Sequence, residues 1–253
     1  MINTKHLAFE LTSTKGLDRE ENSDITMLFR LENSVLVVML DISTKHPIPI
    51  KDFGAALHHE MTIKLAELSD TLSPSLLLQV FNQTRQILRE HFKYGSAACL
   101  IAFISISKVW GFTAGDVRLG KVTDAKNQSE IPPIYNWYTP VHSTANIFAA
   151  FEEKMKLKPD RHILTRCLRI NRSFKPEYFE FDCEQNETLI VATDGFWCEL
   201  TEAKYPRFFA KPEACTNDDC TALILNIGQL FSEQWISIQQ KNLFITEIIE
   251  KRQ

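Results

Sequence analysis

The feature that most constrains this chain is a pair of apolar runs, each of which ends in an aspartate. The run "LIVAT" at 189–193 stops at Asp194 and Gly195, and the run "VLVVML" at 35–40 stops at Asp41. Short apolar runs that are bounded by turn residues are typical of buried strands. Each run therefore predicts a buried strand that carries a carboxylate at its end.

Two long helices are predicted between blocks of strands. Apolar residues at three- and four-residue steps indicate a helix over 52–68. Ser73 followed by Pro74 is a typical helix start, and it predicts a second helix that runs to about residue 92. Further helices are predicted at 143–156 and 161–168, and the tail 228–253 stays unassigned.

The strand pattern predicts the fold class. Runs rich in β-branched and aromatic residues, separated by turn signals, predict strands at 6–12, 25–31, 34–40, 97–106, 109–114, 117–122, 178–181, 188–193 and 221–227. Strand blocks that are separated by a pair of long helices favour an α+β fold with antiparallel sheets, whose faces the helices cover.

Composition and charge exclude several classes of protein. The 253 residues carry a net charge of -4, which gives no overall field to attract nucleic acid or an anionic membrane. The first ten residues lack the pattern of a signal peptide, and nowhere do about 18 apolar residues run together. Six scattered cysteines without a Cys-x-x-Cys spacing indicate reduced core thiols. We therefore expect one cytoplasmic domain over 1–253 that is a monomer and binds neither membranes nor nucleic acid.

Five aspartates lie at predicted strand boundaries: Asp24, Asp41, Asp116, Asp194 and Asp218. Taken singly, each has a structural explanation, because an Asp side chain can bond its own backbone in a turn. If the strand ends met, each close pair of carboxylates would repel by several kcal/mol unless cations lay between them. Hard divalent ions prefer such oxygen ligands. The pattern thus allows two interpretations, ordinary turn residues or a divalent metal centre.

Seven segments in order carry a resemblance to a known family. They are "GLDREENSD" (16–24), "VVMLDIS" (37–43), "GSAACL" (95–100), "GFTAGDVRLG" (111–120), "LTRCL" (164–168), "LIVATDGFW" (189–197) and "NDDCTALIL" (217–225). The series resembles the bacterial type of the metal-dependent serine/threonine protein phosphatases of the 2C type, or PPM family, over 5–227. The resemblance implies an α/β/β/α sandwich of two antiparallel sheets flanked by helices. It also implies a binuclear Mn²⁺ or Mg²⁺ centre in a cleft at one edge.

The metal ligands follow from the resemblance, position by position. Asp41 matches the aspartate that bridges the two metals, and Asp194 and Asp218 match the remaining carboxylate ligands. Asp116 matches a ligand of the third ion found in bacterial relatives. Ile42 stands where a glycine lends its backbone carbonyl to the second metal. The resemblance therefore implies two ions, or three if Asp116 also holds one.

The resemblance implies two further catalytic residues. Arg19 matches the arginine that grips the substrate phosphate, a role that suits its forked guanidinium. Asp24 matches the aspartate that orients metal-bound water. The implied reaction is direct hydrolysis of phosphoserine or phosphothreonine in a phosphorylated protein partner, with two metals activating the attacking oxygen.

The chain departs from the family at its glycine-rich motif. It has "DISTKH" at 41–46, where relatives carry Asp-Gly-Met-Gly-Gly, often followed by His. Since the β-branched Ile42 cannot readily adopt the positive φ that glycine permits, we expect a weaker or reshaped second metal site. Ser23 replaces an acid, and Asp219 replaces an asparagine. His46 aligns with the histidine after the glycines, where a solvated loop residue is favoured over a proton donor.

These departures leave two functions open. One is a phosphoprotein phosphatase of reduced activity, and the other is a pseudophosphatase that binds a phosphorylated partner without turnover. The retained aspartates and Arg19 favour the enzyme, because a chain without metals has no physical need for clustered anions. A metal-dependent nuclease is disfavoured, since the chain lacks the basic groove that a nucleic-acid substrate requires.

Overall fold

The computed structural model describes residues 1–6, 8–43, 48–68, 71–123, 134–201, 204–211, 216–231, 235, 238–240 and 242–248. Within these residues the strands are β1 (Ile2–Lys5), β2 (Phe9–Thr14), β3 (Asp24–Leu31), β4 (Ser34–Ile42), β5 (Ser96–Ile104), β6 (Lys108–Ala114), β7 (Arg118–Thr123), β8 (Ile134–Trp137), β9 (Leu168–Arg169), β10 (Glu177–Asp182), β11 (Thr188–Ala192), β12 (Cys220–Asn226), β13 (Ile238–Gln240) and β14 (Leu243–Glu247). The helices are α1 (Ile50–Ala66), α2 (Pro74–His91), α3 (Tyr205–Ala210) and α4 (Ile227–Leu230).

The strands form two sheets. One sheet has the order β1-β2-β12-β11-β7-β8, and the other has the order β10-β6-β5-β4-β3-β14-β13 with β9 paired to β5. The pairs are antiparallel apart from β14, which runs parallel to β3. The predicted sandwich of two sheets flanked by helices is confirmed, and the C-terminal part of the chain adds a parallel pair.

The apolar run of β4 is continuous because both of its faces are buried. Val35, Val37 and Met39 pack into the core between the two sheets. Leu36 and Val38 point the other way, into the core beneath the long helices. The same alternation holds in β11, where Leu189 and Val191 face the other sheet and Ile190 and Ala192 face outward into a third cluster. Covering layers on both sides therefore explain the unbroken apolar pattern.

Helices α1 and α2 cover the outer face of the eight-stranded sheet. They bury apolar residues at helical spacing: Phe53, Leu57, Met61 and Leu65 from α1, and Leu77, Val80, Phe81 and Leu88 from α2. The Ser73 hydroxyl accepts a hydrogen bond from the backbone N–H of Leu76 at 3.3 Å, which caps α2 as predicted. The outer face of the six-stranded sheet is covered by α3 and by a π-helical turn at Gly195–Glu199.

The two helices predicted at 143–156 and 161–168 are wrong. These segments form short 3-10 turns at Thr144–Asn146, Glu153–Leu157 and Pro159–His162, followed by strand β9. The Asn146 side chain accepts from the backbone N–H of Ser143 at 3.1 Å and donates to the Val141 carbonyl at 2.8 Å, so the backbone is satisfied locally. Pro159 also lacks the N–H that a longer helix needs.

The C-terminal tail, which the sequence left unassigned, completes the second sheet. Leu243, Phe244 and Ile245 of β14 are buried and pair in register with Thr26, Met27 and Leu28 of β3. A parallel pairing of strands far apart in sequence leaves no local signal in either segment. No helix in the described part of the chain is long and apolar enough to span a membrane.

Candidate metal centre

Antiparallel pairing brings three of the predicted aspartates to the same end of the central strands of the six-stranded sheet. Strand β11 ends where its two neighbours, β7 and β12, begin. Asp194 follows the end of β11, whereas Asp116 and Asp218 precede the starts of β7 and β12. In an antiparallel pair the end of one strand lies beside the start of its partner. The topology therefore gathers these three carboxylates from positions far apart in the chain.

The eight-stranded sheet brings the other two aspartates together in the same way. Asp24 opens β3 and stands directly opposite Asp41 near the end of β4. A cleft of about 580 Å³ has in its lining the predicted residues Arg19, Asp41, Ile42, Asp116, Asp194 and Asp218. Asp24 is 1% exposed and is not part of that lining. Six of the seven predicted site residues thus face one cleft, and the seventh lies against it through its pairing with Asp41.

Asp194 shares its carboxylate between a buried arginine and the cleft. The Arg161 Nη1 donates to its Oδ2 at 2.9 Å, and the His162 Nδ1 lies 3.8 Å from the same oxygen. The other oxygen, Oδ1, is buried and has no hydrogen-bond partner among the described residues. Burial and the charge of Asp218 raise the pKa of Asp194 to about 6, although the Arg161 charge opposes the shift.

Asp24, Asp41 and Asp116 are also held where ionisation is costly. Burial raises the pKa of Asp41 well above its usual value, and the charges of Asp24 and Asp194 raise it further. Burial, together with neighbouring carboxylates, likewise raises the pKa values of Asp24 and Asp116 well above their usual values. Mutual repulsion of this kind is what a divalent cation among the carboxylates would relieve.

Gly195 allows the two strand ends that carry Asp194 and Asp218 to approach each other closely. A Cβ atom at position 195 would lie 2.0 Å from the backbone carbonyl oxygen of Asp219. Since no side chain fits in that space, the glycine of the "TDG" segment is required for the approach itself.

Arg19 lies in the cleft beside a predicted metal ligand. Its Nε donates to Asp218 Oδ1 at 2.8 Å, and its Nη2 contacts the same oxygen. Burial alone would lower the pKa of Arg19, but the hydrogen bond and charge of Asp218 raise it. The guanidinium therefore stays charged within reach of the carboxylates, where it can bind an anionic ligand.

Asp219 is a structural residue that positions the Arg19 loop. Its Oδ1 accepts from the backbone N–H of Gly16 at 2.9 Å, and its Oδ2 accepts from the backbone N–H of Ser23 at 2.7 Å. In the same orientation an asparagine would turn its amide nitrogen, a donor, toward one of these two N–H groups. The departure from the family's asparagine therefore ties both ends of the loop to the start of β12.

Ile42 continues β4 where the family has a glycine turn. Its backbone pairs with Ala97 of β5, its N–H donates to the Ser23 carbonyl at 3.4 Å, and its side chain is 2% exposed in the core beneath α1 and α2. The side chain thus has an apolar packing role that a glycine would not fill. His46 lies outside the described residues.

Three residues at the site escaped the sequence analysis: His162 and Glu199, which line the cleft, and Arg161, which contacts Asp194 from outside that lining. The Arg161 Nη2 donates to Glu199 Oε1 at 3.0 Å, and Glu199 Oε2 accepts from the backbone N–H groups of Asn217 at 3.0 Å and Asp218 at 3.2 Å. The network links the 3-10 turn at Pro159–His162 to the Asp218 loop. The predicted helix over 161–168 did not indicate that Arg161 and His162 would lie at the site. Only the chemistry of their side chains could have suggested a role there.

The donor set fits divalent cations. Ligand atoms of His162, Asp194 and Asp218 all lie within 4.8 Å of one another, and the carboxylates of Asp41 and Asp116 add further oxygens in the same cleft. Buried carboxylates of raised pKa, with the unpartnered Oδ1 of Asp194 among them, match the preference of Mn²⁺ and Mg²⁺ for oxygen ligands.

Solved structures show the class of fold to which this arrangement belongs. The chain has the fold of the PPM-type serine/threonine phosphatases. Neither a family model nor a curated protein sequence matches the chain. The comparison therefore rests on the likeness of the structures.

Three particular phosphatases illustrate the likeness. The PPM Ser-Thr phosphatase MsPP from Mycobacterium smegmatis, solved in complex with cacodylate, is 18% identical with a TM-score of 0.66, over 88% of this chain and 99% of that chain. Stp1 from Staphylococcus aureus is 17% identical with a TM-score of 0.66, over 89% of this chain and 99% of that chain. The catalytic domain of PstP, solved with 2 manganese ions, is 12% identical with a TM-score of 0.56, over 86% of this chain and 96% of that chain. At these identities the likeness establishes the fold.

Proposed function

We propose that this protein is a metal-dependent phosphoprotein phosphatase that hydrolyses phosphoserine and phosphothreonine with Mn²⁺ or Mg²⁺. The observation that carries the proposal is the convergence of four aspartates in one cleft beside Arg19. Carboxylates gathered at this density are costly unless cations compensate them, and a charged arginine beside them suits a phosphate group. Similarity to Ser/Thr phosphatases of the same fold supports the reaction class. We expect a monomer that acts in the cytoplasm on phosphorylated proteins.

Named residues would hold the ions. Asp41, Asp194 and Asp218 would hold two of them, with Asp116 available to a third and a ring nitrogen of His162 nearby. Burial, followed by the Arg161 charge, lowers the pKa of His162, so its ring is neutral near pH 7 and able to act as a ligand. When bound, such ions stabilise charge on phosphate oxygens and lower the pKa of water.

The chain's own residues then position the substrate and the ligands. The Arg19 guanidinium can bind two oxygens of the phosphate at once. Arg161 holds Oδ2 of Asp194 and leaves Oδ1 available to an ion. Asp24, whose Oδ2 accepts from the Thr193 hydroxyl at 3.0 Å, is a buried acceptor next to Asp41 and can take up or orient a proton. In the overall reaction water attacks phosphorus, the ester P–O bond breaks, and phosphate and the free hydroxyl group are released.

One observation favours the alternative of a pseudophosphatase. Ile42 occupies the glycine position with its side chain packed in the core, so strand β4 continues for one residue past Asp41. A second metal site reshaped in this way could bind a phosphorylated partner without turnover. The two functions share the cleft and differ only in the rate of hydrolysis.

Metal binding and hydrolysis can be measured on the same preparations. Calorimetry with Mn²⁺ on the wild type and on Asp41→Asn reports binding, and turnover of p-nitrophenyl phosphate and of a phosphoserine peptide reports activity. We expect Mn²⁺-dependent turnover in the wild type and a loss of about 10²-fold or more in Asp41→Asn, since an electrostatic group at the reacting centre is removed. Asp52→Asn, an exposed aspartate in the first turn of α1, is the matched control and should behave as wild type.

Three outcomes separate the alternatives. Binding with turnover supports the phosphatase. Binding of Mn²⁺ by folded wild type without turnover of either substrate supports the pseudophosphatase. Absence of Mn²⁺ binding by the folded wild type would contradict both, because both rely on the carboxylate cluster as a metal site.

A further inference from the structure

A second cavity, here called the basic pocket, adjoins the metal cleft. It has a volume of about 390 Å³, and its lining includes Arg166, Arg169, Arg172 and Lys175. Cys167 and Arg169 also line the metal cleft. Because the two cavities share these lining residues, they lie next to each other.

The basic pocket concentrates positive charge in a chain whose net charge is -4. Its four cations follow one another at three-residue steps, and no acidic residue occurs in 161–176. Arg166 is compensated, since its Nη1 donates to Glu177 Oε2 at 3.2 Å. Arg169, Arg172 and Lys175 are exposed, and their side chains have no ion-pair or hydrogen-bond partner among the described residues. Three cations are therefore free to bind an anion.

The segment that carries these cations is anchored to the core. Leu168, Ile170 and Phe174 are buried in the cluster beneath α1 and α2, and the Ile170 carbonyl accepts from Arg85 Nη1 at 2.8 Å. Arg169 pairs with Ser96 through the short strand β9. Apolar residues thus point inward and the cations point outward from a fixed backbone, so little ordering is needed when an anion binds.

The sheet register sets the distance between the two sites. Asp41 stands opposite Ala98 on β5, and Arg169 stands opposite Ser96 on the same strand. Two strand spacings and a two-residue offset place the Cα atoms of Asp41 and Arg169 about 12 Å apart. An extended peptide rises about 3.3 Å per residue, so this separation, with the reach of an arginine side chain, corresponds to about two to four residues.

We propose that the basic pocket binds an anionic side chain, either a carboxylate or a second phosphate, about two to four residues from the phosphorylated residue of a protein substrate. This inference rests on the proposed function, because it assigns a neighbouring subsite to the same substrate. A protein ligand is favoured over nucleic acid, since a continuous phosphate backbone that lies across the basic pocket would also meet the acidic metal cleft.

Phosphoserine peptides with different flanks test the inference. One peptide has neutral flanks, and the others carry Asp or a second phosphoserine three residues before or after the target serine. We expect the wild type to hydrolyse the best anionic peptide with a kcat/KM about fivefold or more above that of the neutral peptide. Arg172→Gln/Lys175→Gln, which leaves Arg169 of the metal cleft in place, should lose this preference and keep its p-nitrophenyl phosphate turnover, because the aryl phosphate reaches only the metal cleft.

A matched variant and a binding assay complete the test. Lys51→Gln/Lys64→Gln removes two cations from helix α1, outside the basic pocket, and should keep the preference. Fluorescence anisotropy with an acidic-flank peptide that has Ala in place of the target serine measures pocket binding without turnover. We expect binding to the wild type and to the α1 variant, with a loss of about fivefold or more in the pocket variant.

Each outcome has one meaning. A preference for the second phosphate alone or for Asp alone supports the inference and identifies the anion. Equal kcat/KM for all peptides, with p-nitrophenyl phosphate turned over, overturns the basic pocket and leaves the phosphatase standing. Absence of p-nitrophenyl phosphate turnover counts against the proposed function, and the anisotropy assay still reports on the basic pocket.

A single-stranded oligonucleotide tests the alternative of a nucleic-acid site. The inference is overturned if the oligonucleotide binds the wild type more tightly than the peptide does and loses affinity in the pocket variant.

Discussion

Arg161 is the cation that compensates the buried side of the acidic cluster. Arg161 is 8% exposed, and its guanidinium donates to both Asp194 and Glu199. Burial alone would lower the pKa of Arg161, but the charge of Asp194 raises it, so the residue stays charged. A buried charge network of this kind is weak as a source of net stability but costly to leave half-paired.

Replacement of Arg161 should therefore destabilise the protein. We expect Arg161→Ala to lower the free energy of unfolding by about 3 kcal/mol at pH 7.5, because it leaves two carboxylates without their cation. Urea denaturation in the presence of a chelator measures this change. The control Arg172→Ala removes an exposed arginine without a partner among the described residues, and should stay within about 0.5 kcal/mol of wild type. Equal stability of the two variants would contradict the role given to Arg161.

Strand β14 lies beyond residues 5–227, the range of the family resemblance, and it still forms part of the core. It extends the eight-stranded sheet next to β3, the strand that carries Asp24, and its Phe244 ring stacks on His58 of α1 at 5.2 Å. A Cβ at Gly54 of α1 would lie 2.9 Å from the same ring, so helix and strand are in close contact. The tail is thus part of the core that supports the site.

Truncation of the Phe244 side chain tests the docking of β14. Phe244 is 1% exposed, and we expect Phe244→Ala to lower the free energy of unfolding by about 3–5 kcal/mol through lost burial and the cavity it leaves. Phe148 is 99% exposed, so Phe148→Ala should change it by less than about 0.5 kcal/mol. Chemical denaturation of both variants gives the comparison. A Phe244→Ala variant as stable as Phe148→Ala would show that β14 does not pack as described.

For the molecule as a whole, the acidic cluster makes stability depend on pH in an unusual direction. The pKa of Asp194 is raised from 3.8 to about 6 by burial and by Asp218. Between these two values the folded protein keeps a proton that the unfolded chain releases, so the stabilising contribution is complete below pH 3.8 and is lost as pH rises through about 6. In a chelator, the protein should therefore become less stable from pH 5 to pH 7.5.

Thermal unfolding at several pH values measures this effect. In the presence of a chelator we expect the Asp194 contribution to fall by about 1–1.5 kcal/mol from pH 5 to pH 7.5, and a smaller slope in Asp194→Asn than in Asp52→Asn. With Mn²⁺ present, the trend should reverse above pH 6, because the ion binds the deprotonated carboxylates and stabilises the folded state. A wild-type slope identical to that of Asp194→Asn would refute the assignment of the raised pKa.

Secondary-structure elements with local signals could be predicted from the amino-acid sequence alone. The apolar runs of β4 and β11, the helical spacing in α1 and the Ser73–Pro74 start of α2 each predicted the observed element to within a few residues. Periodicity and capping depend on neighbours within a turn or two, so a sequence carries them in full. The family motifs also pointed to the aspartates that the sheets bring together.

Features that depend on contacts between distant segments could be seen only in the folded chain. Local patterns predicted helices at 143–156 and 161–168, but side-chain bonds to the backbone and Pro159 gave 3-10 turns. Those turns place His162 in the lining of the cleft and Arg161 against Asp194. The parallel pairing of β14 with β3 appears in neither segment's pattern. The edge at which strand ends meet follows from antiparallel pairing across the sheets, which joins residues that are far apart in the sequence. The sequence therefore supplies the carboxylates, and only the fold decides which side chains surround them.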